Sequence, residues 1–137
     1  MNLLTVKLPL PLPANDLAAH PKAQHHQKNR YRQRAWTSAI MGTKPLRDPW
    51  QKVRVTITYI LAPDDRHDDD AYKAMGTKWV LDTLKQRQKG KLDWRQAYEL
   101  CGFFIDDDPK HMELGAEFVL RTMEREPGVY VTISEVK

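Results

Sequence analysis

The chain has 137 residues, a length that suits a single domain spanning residues 1–137. Hydrophobic residues make up 41% of it and four residues are tryptophan, a composition typical of a folded chain. Its 22 basic residues outnumber its 18 acidic ones and give a net charge of +4, which favours nucleic acid as a partner. The single cysteine, Cys101, excludes an internal disulfide and a cysteine-based zinc site. Neither a membrane-spanning stretch nor a secretion signal is evident, so we expect a cytoplasmic protein with no membrane partner.

The first predicted element is a strand near the N-terminus. Apolar residues from Leu4 to Leu10 alternate with polar residues and prolines, and the prolines confine such a strand to the edge of a sheet. Residues 17–34 are polar and basic and include three histidines, which favours an arm facing phosphates over a histidine metal site. A helix is predicted from about residue 29 to residue 42, and its buried side chains are expected to be Trp36, Ile40 and Met41.

The clearest predicted strand covers residues 53–61, where apolar, mostly β-branched residues alternate with Lys, Arg and Thr. It leads directly into an acidic run at residues 64–70. A helix is predicted from about residue 70 to residue 84, because aspartates suit its N-terminus and apolar residues recur along it.

The pattern of the remaining sequence predicts a basic loop at residues 85–91, a short helix and two strands. The helix begins at Asp93 with a pattern that resembles a capping box, and Gly102 is placed to end it. Residues 112–120 and 129–133 alternate as strands, and the turn at 126–128 predicts that they pair as an antiparallel hairpin. The predicted fold class is therefore α+β, with a mixed sheet of about four strands and helices packed on one face.

Two aspartate runs stand out on this basic chain. Residues 64–70 contain five aspartates and residues 106–108 contain three. Neighbouring carboxylates repel one another, and a divalent cation that prefers hard oxygen ligands removes that cost. A solvated acidic loop is an equally good interpretation of one such run alone. Two runs favour a metal site that acts on a polyanion.

The spacing within the runs restricts the kind of metal site. An EF-hand that began at Asp106 would need glycine at its sixth position, where this chain has His111. Asp68 and Asp70 point the same way in an extended segment, so they can converge on one ion. Aspartates from two separate turns are typical of a Mg²⁺ site that takes a substrate phosphate as ligand and supports phosphodiester hydrolysis. The pattern does not name the substrate.

Three motifs resemble those of the RusA-like Holliday-junction resolvases. Arg66-His67-Asp68-Asp69-Asp70 resembles the family's R-(R/H)-D-x-D-N motif, and Gly102-Phe103-Phe104-Ile105-Asp106-Asp107 resembles its G-(F/Y)-hydrophobic-hydrophobic-D-D motif. Lys78 to Leu84 is similar to the helix between them, which reads K-x-x-x-D-x-L. The opening Leu8-Pro9-Leu10-Pro11 and the closing strands are also similar, so the resemblance covers most of the chain in order.

The resemblance implies a homodimeric endodeoxyribonuclease that nicks four-way DNA junctions in recombination and repair, with a phage or prophage as an expected source. It implies Mg²⁺ as the cofactor, with Mn²⁺ as a substitute. The family's metal-binding aspartates fall on Asp68, Asp70 and Asp107, and Asp106 supports the last of these. A helix cap and a charged turn are the alternative roles for these aspartates.

The chain departs from the family pattern after the first motif. Ala71 stands where the family has asparagine, and Ala74 stands where it has a lysine. Lys73 lies one residue before that position and Lys78 about one helical turn after it, so both are candidate catalytic lysines. Lys73 can otherwise be a solvated charge, and Lys78 can otherwise pair with Asp82 at i+4.

Basic residues near the motifs are expected to contact DNA. The expected contacts are Lys28, Arg30, Arg32, Arg34, Arg66, Lys85, Arg87 and Lys89. The alternative function is that of a catalytically impaired protein with the same fold, which binds branched DNA without cleaving it. The departures at Ala71 and Ala74 motivate that alternative.

Overall fold

A computed structural model describes residues 2–44, 46, 48–85 and 101–137. The elements are β1 (Leu3–Leu8), a 3₁₀ turn (Ala14–Asp16), α1 (Pro21–Gly42), β2 (Val53–Leu61), α2 (Asp69–Leu84), β3 (Met112–Arg121) and β4 (Gly128–Glu135). The predicted short helix after Asp93 lies outside the described residues. In the part of the chain that the structure describes, no helix is long and apolar enough to cross a membrane.

The four strands form one mixed sheet in the order β1-β4-β2-β3. Strand β4 is antiparallel to both of its neighbours, and β2 is parallel to β3. The predicted antiparallel hairpin is therefore wrong, because β2 lies between β3 and β4. Strands two positions apart are separated by roughly 10 Å, a distance that the connection between Arg121 and Gly128 spans easily.

The core lies between one face of the sheet and the two helices. Alternate residues of β1, β2 and β4 are fully buried there, beginning at Val6, Val53 and Val129. They share a hydrophobic cluster with residues of α1 and α2. This arrangement confirms the predicted α+β class and the mixed four-stranded sheet. The prediction that the prolines place the first strand at an edge is also confirmed, since β1 pairs with β4 on one side and ends at Leu8.

Strand β3 contains a bulge that divides its apolar residues between the two faces. Val55 pairs with Leu114 but Ile57 pairs with Glu117, so β3 has one extra residue between these pairs. Paired residues share a face, which places Leu114 on the face covered by helices and Phe118 on the opposite face. The uniform alternation in the sequence did not indicate this change of register.

Helix α1 begins at Pro21, eight residues before its predicted start, and so includes most of the segment predicted to be an arm. Proline suits the first helical position because an N–H there would have no partner within the helix, so its absence costs nothing. The buried face carries Tyr31, Ala35 and Ala39. The predicted burial of Met41 is wrong: its side chain is 83% exposed, because two residues after Ala39 the helix has turned to its other side.

Helix α2 is unbroken from Asp69 to Leu84, close to its predicted bounds. Its interior glycine, Gly76, is explained by packing. A β-carbon at this position would lie 2.4 Å from Cγ of Pro11, so the absence of a side chain lets the helix pass directly against the segment that follows β1.

Candidate functional site

The first acidic run connects β2 to α2 and is held by Arg121 at the end of β3. Nη1 of Arg121 donates to Oδ1 of Asp69 at 2.6 Å, and Nη2 donates to the carbonyl of His67 at 2.5 Å. Its Nε also donates to the carbonyl of Asp65. Arg121 pairs with Leu61, the last residue of β2, so its side chain lies beside the loop that follows this strand. The guanidinium thereby fixes the path of the chain into α2.

A second network holds the ring of His67. The backbone N–H and Nδ1 of His67 both lie 2.9 Å from Oδ1 of Asp65, and the hydroxyl of Tyr72 donates to Oδ2 of the same carboxylate at 2.7 Å. Burial acts to raise the pKa of Asp65, but these hydrogen bonds outweigh it and leave the pKa lowered. Asp65 is therefore an ionised anchor for the loop.

The predicted metal ligands of the first run remain at the surface. Asp68 is the N-cap residue of α2, yet its side chain makes no capping hydrogen bond. Asp70 lies in the first turn with a side chain that is 93% exposed, and its Oδ1 lies 3.4 Å from Nζ of Lys73. A helix cap therefore does not account for the Asp68 carboxylate, and both carboxylates face solvent at the N-terminal end of α2.

The second acidic run is held against the opposite end of α2. The N–H of Cys101 donates to the carbonyl of Thr83, and the N–H of Phe103 donates to that of Leu84, each at 2.8 Å. Phe103 and Phe104 are fully buried. Gly102, which precedes them, has φ 76°, a left-handed conformation that favours glycine. Asp106 and Asp107 follow immediately.

Three carboxylates surround the ammonium group of Lys85. Nζ of Lys85 lies 3.5 Å from Oδ1 of Asp82, 3.8 Å from Oδ1 of Asp106 and 3.6 Å from Oδ1 of Asp107. Lys28 of α1 makes a shorter contact, with Nζ 2.9 Å from Oδ2 of Asp82. We call these five residues the lysine-aspartate cluster. It joins α1, the end of α2 and the second acidic run.

The lysine-aspartate cluster carries three negative and two positive charges in a partly desolvated position. Burial raises the pKa of the Asp107 carboxyl, as do its hydrogen bond with Asp106 and the charge of Asp82, while the charge of Lys85 opposes them. The net effect is a raised pKa. The charge of Lys85 and a backbone hydrogen bond are what favour the ionised form of Asp107 at this position.

The two acidic runs lie at opposite ends of one helix. Asp70 is in the first turn of α2 and Asp82 is twelve residues later, which corresponds to roughly 18 Å along the helix axis. Asp107 shares Lys85 with Asp82, so it belongs to the C-terminal end. The structure does not bring the predicted set of Asp68, Asp70 and Asp107 together within one chain.

The donor atoms of the lysine-aspartate cluster fit a hard divalent cation in kind but not in spacing. All three are carboxylate oxygens gathered around a positive charge, the type of ligand that Mg²⁺ prefers. The ammonium group of Lys85 lies among these oxygens, 3.5–3.8 Å from each of them. Among the described residues, no group of three His, Cys, Asp or Glu side chains is arranged to hold a metal ion.

The other predicted site residues divide between surface and interior. Arg30, Arg34, Arg66 and Lys78 are exposed. Arg32 is only 8% exposed, because it lies on the inner side of α1 beside Tyr31 and Ala35, and this removes it from the surface expected to contact DNA. Arg87 and Lys89 lie outside the described residues.

Sequence reasoning did not identify Asp82 as a member of the site. It appeared only in the helix motif and as a partner for Lys78, whereas the structure pairs it with Lys28 and Lys85. The available signal was its position within Val80-Leu81-Asp82-Thr83-Leu84, where an aspartate among apolar residues indicates a buried charge with a partner.

Comparison with known proteins gave no match: no family model, no curated protein and no solved structure is significantly similar to this chain.

Proposed function

We propose that this protein is a Mg²⁺-dependent endodeoxyribonuclease of the RusA-like type, which nicks four-way DNA junctions as a homodimer. The observation that carries the proposal is the placement of the two aspartate motifs. Each is held at one end of α2 by its own network, the first by Arg121 and the second by Lys85. Both groups occur in a chain whose net charge is +4, which suits a polyanionic substrate.

The proposed cofactor sites are the Asp68, Asp70 and Asp107 carboxylates, with Asp106 in support. Asp68 and Asp70 are exposed and the first is not used as a cap, so both are accessible to an ion. When bound, Mg²⁺ would supply a metal-bound nucleophile and charge stabilisation at the scissile phosphate. The residues themselves would hold the ion and position the DNA backbone beside it.

A homodimer is part of the proposal because of the geometry of α2. One chain keeps the first motif and Asp107 at opposite ends of this helix. A second copy can bring its own Asp107 to the first motif, and a two-fold axis then produces two equivalent sites. Two equivalent sites are what paired nicks in a two-fold junction require.

Exposed cations supply the proposed DNA contacts. Arg30 and Arg34 lie one helical turn apart on the outer side of α1, and Arg66 is exposed in the first acidic run. Phosphate contacts of this kind give affinity that falls steeply as salt concentration rises. Substituting Arg30 and Arg34 together by glutamine should therefore weaken junction binding and reduce its salt dependence.

The test is cleavage of a four-way junction by the full chain with Mg²⁺ or Mn²⁺. The wild type should produce paired nicks, and D70N and D107N should each reduce the rate by at least a hundredfold while still binding the junction. K22M, which changes an exposed lysine at the start of α1, serves as the control. An intact junction after incubation with wild type, or cleavage by both aspartate variants at the wild-type rate, would refute the proposal.

The second candidate is a protein that binds branched DNA without cleaving it. Two observations favour it: Lys85 lies within 4 Å of both Asp106 and Asp107, and Ala71 replaces the asparagine of the first motif. This candidate predicts salt-dependent junction binding in every variant and no nicking with either metal. Any Mn²⁺-dependent nicking that D107N abolishes would eliminate it.

A further inference from the structure

Strand β3 lies at one edge of the sheet, and no strand among the described residues pairs with its outer side. The helices leave it open as well, since Leu114 on the helix-covered face is 43% exposed. On the opposite face, Phe118 and Leu120 are 51% and 50% exposed. An unpaired strand that carries exposed apolar side chains is a template for pairing with another chain.

The two edges of the sheet differ in how they are protected. Strand β1 is six residues long and leads into Pro9 and Pro11, which discourage further pairing. Strand β3 is ten residues long and contains neither lysine nor proline. Its bulge precedes Glu117, so regular pairing is possible from Glu117 to Arg121. This segment is therefore where a further strand can be added.

The backbone of this segment presents alternate residues to the free edge. The N–H of Thr122 donates to the carbonyl of Leu61, so Thr122 faces β2. Successive residues of a strand direct their backbone groups to opposite sides, so Glu117, Val119 and Arg121 direct their N–H and C=O groups away from β2. These are the groups that a second strand would bond.

We propose that β3 pairs antiparallel with β3 of a second copy about a two-fold axis through Val119, which joins two four-stranded sheets into one. In that register Glu117 lies opposite the partner's Arg121, and Phe118 lies opposite the partner's Leu120. Both relations recur across the axis, which gives two ion pairs on one face and four packed apolar side chains on the other.

The charges select this register. An axis through Val119 is the only one that places each Glu117 opposite an Arg121. An axis through Glu117 or through Arg121 places like charges directly opposite one another, which destabilises a strand pair.

The inference deepens the homodimer of the proposed function and rests on it only for the expectation that two copies associate. It requires neither metal nor DNA. Arg121, which holds the first acidic run through Asp69, then lies in the interface. Antiparallel pairing also directs the amino end of the partner's β3, which follows its second acidic run, toward that side of the molecule.

The first measurement is the mass of the full chain in solution by sedimentation equilibrium, without divalent cations. The wild type should be dimeric. E117R places arginine opposite arginine in both pairs and should raise the dimer dissociation constant by on the order of tenfold. E113R makes the same charge change before the bulge and is the matched control. A mixture of E117R with R121E should associate again, because arginine then lies opposite glutamate in both pairs.

Cross-linking tests the register without altering a charge. Residues opposite each other at the axis have Cα atoms roughly 5.5 Å apart, a distance that a disulfide spans. V119C should therefore form a disulfide-linked dimer under mild oxidation. L114C, whose two copies would be separated by roughly 30 Å of strand, should not. The native Cys101 does not interfere, because burial raises the pKa of its thiol to about 12.

Junction cleavage separates this inference from the proposed function. A V119C dimer that cross-links, together with weakened association of E117R and no cleavage by any chain, supports the surface and refutes the nuclease. A monomeric wild type overturns the inference, as does a dimer in which V119C fails to cross-link or E117R associates as tightly as E113R. Cleavage by the wild type in any of these cases leaves the nuclease supported.

Discussion

Nζ of Lys28 lies 2.9 Å from Oδ2 of Asp82, a contact between α1 and the last turn of α2 across 54 residues of sequence. Asp82 is buried, and its second oxygen faces Lys85. Asp82 therefore connects the packing of the two helices to the lysine-aspartate cluster, and a change at Lys28 should be detected both in stability and at the second acidic run.

K28M should destabilise the fold by roughly 1–3 kcal/mol, because it leaves a buried carboxylate with one partner fewer. Urea unfolding measures this change, with K22M on the same helix as the control. The double variant K28M/D82L should recover part of the loss, since it removes the uncompensated charge as well. A double variant less stable than K28M would contradict this explanation.

G76A should destabilise the protein by roughly 1–3 kcal/mol, because its β-carbon would overlap the ring of Pro11. The matched control is G42A at the end of α1, where a β-carbon has no neighbour within 4 Å. Alanine is the better helix former, so G42A should be neutral or slightly stabilising. Equal thermal stability of the two variants would show that α2 and the segment after β1 are not packed as described.

The elements that could be predicted from the sequence are those with a local signal. Strand β2 has clear alternation, and helix α2 has aspartates at its N-terminus and recurring apolar residues; both elements lie close to their predicted positions. The order of β3 and β4 in the sheet could not be predicted, because the turn residues at 126–128 indicate a reversal of direction and not which strand lies beside which. The start of α1 was missed because its first two turns lack apolar periodicity. They are held by the His20 cap, by Pro21 at the first position and by hydrogen bonds from Gln24 and Gln27 to the preceding segment.

The sequence indicated the two acidic runs, but neither their arrangement nor the part played by Asp82. The motifs identified Asp68, Asp70 and Asp107, but the length of α2 separates the first two from the third. Lys28 was predicted as a DNA contact on charge alone, whereas its ion pair with Asp82 is a tertiary contact over 54 residues. Such a contact leaves no local pattern in a single sequence.

Asp107 should make stability depend on pH. Burial, the hydrogen bond with Asp106 and the charge of Asp82 raise its pKa above the usual 3.8, so the folded state binds its proton more tightly than the unfolded state. Its contribution to stability is therefore present at pH values below 3.8 and is lost as the pH rises through the folded pKa.

The variant D107N cannot ionise and should unfold at a higher temperature than the wild type at pH 7. The difference should shrink as the pH is lowered toward the ordinary pKa of an aspartate. Melting curves of both chains from pH 3 to pH 8, without divalent cations, measure it. A D107N variant that is less stable than the wild type at pH 7 would contradict the raised pKa.

The separation of the two aspartate motifs by α2 predicts complementation between inactive chains. If each site combines the first motif of one protomer with Asp107 of its partner, a dimer of D70N with D107N has one site with both substitutions and one with neither. Mixed dimers should then regain nicking of one strand, while each variant alone remains inactive. A site built within a single chain predicts instead that both sites of the mixed dimer are damaged.

The measurement uses co-expressed chains with different affinity tags, purified for the mixed dimer and assayed on a four-way junction labelled on each strand in turn. Single-strand nicking at close to half of the wild-type rate is the expected result. The control is the mixed dimer of D70N with D68N, whose substitutions fall in the same motif, so that every site is damaged and nicking should be absent. Equal activity of the two mixed dimers, or no activity in both beside an active wild type, would show that the motifs do not meet across a dimer.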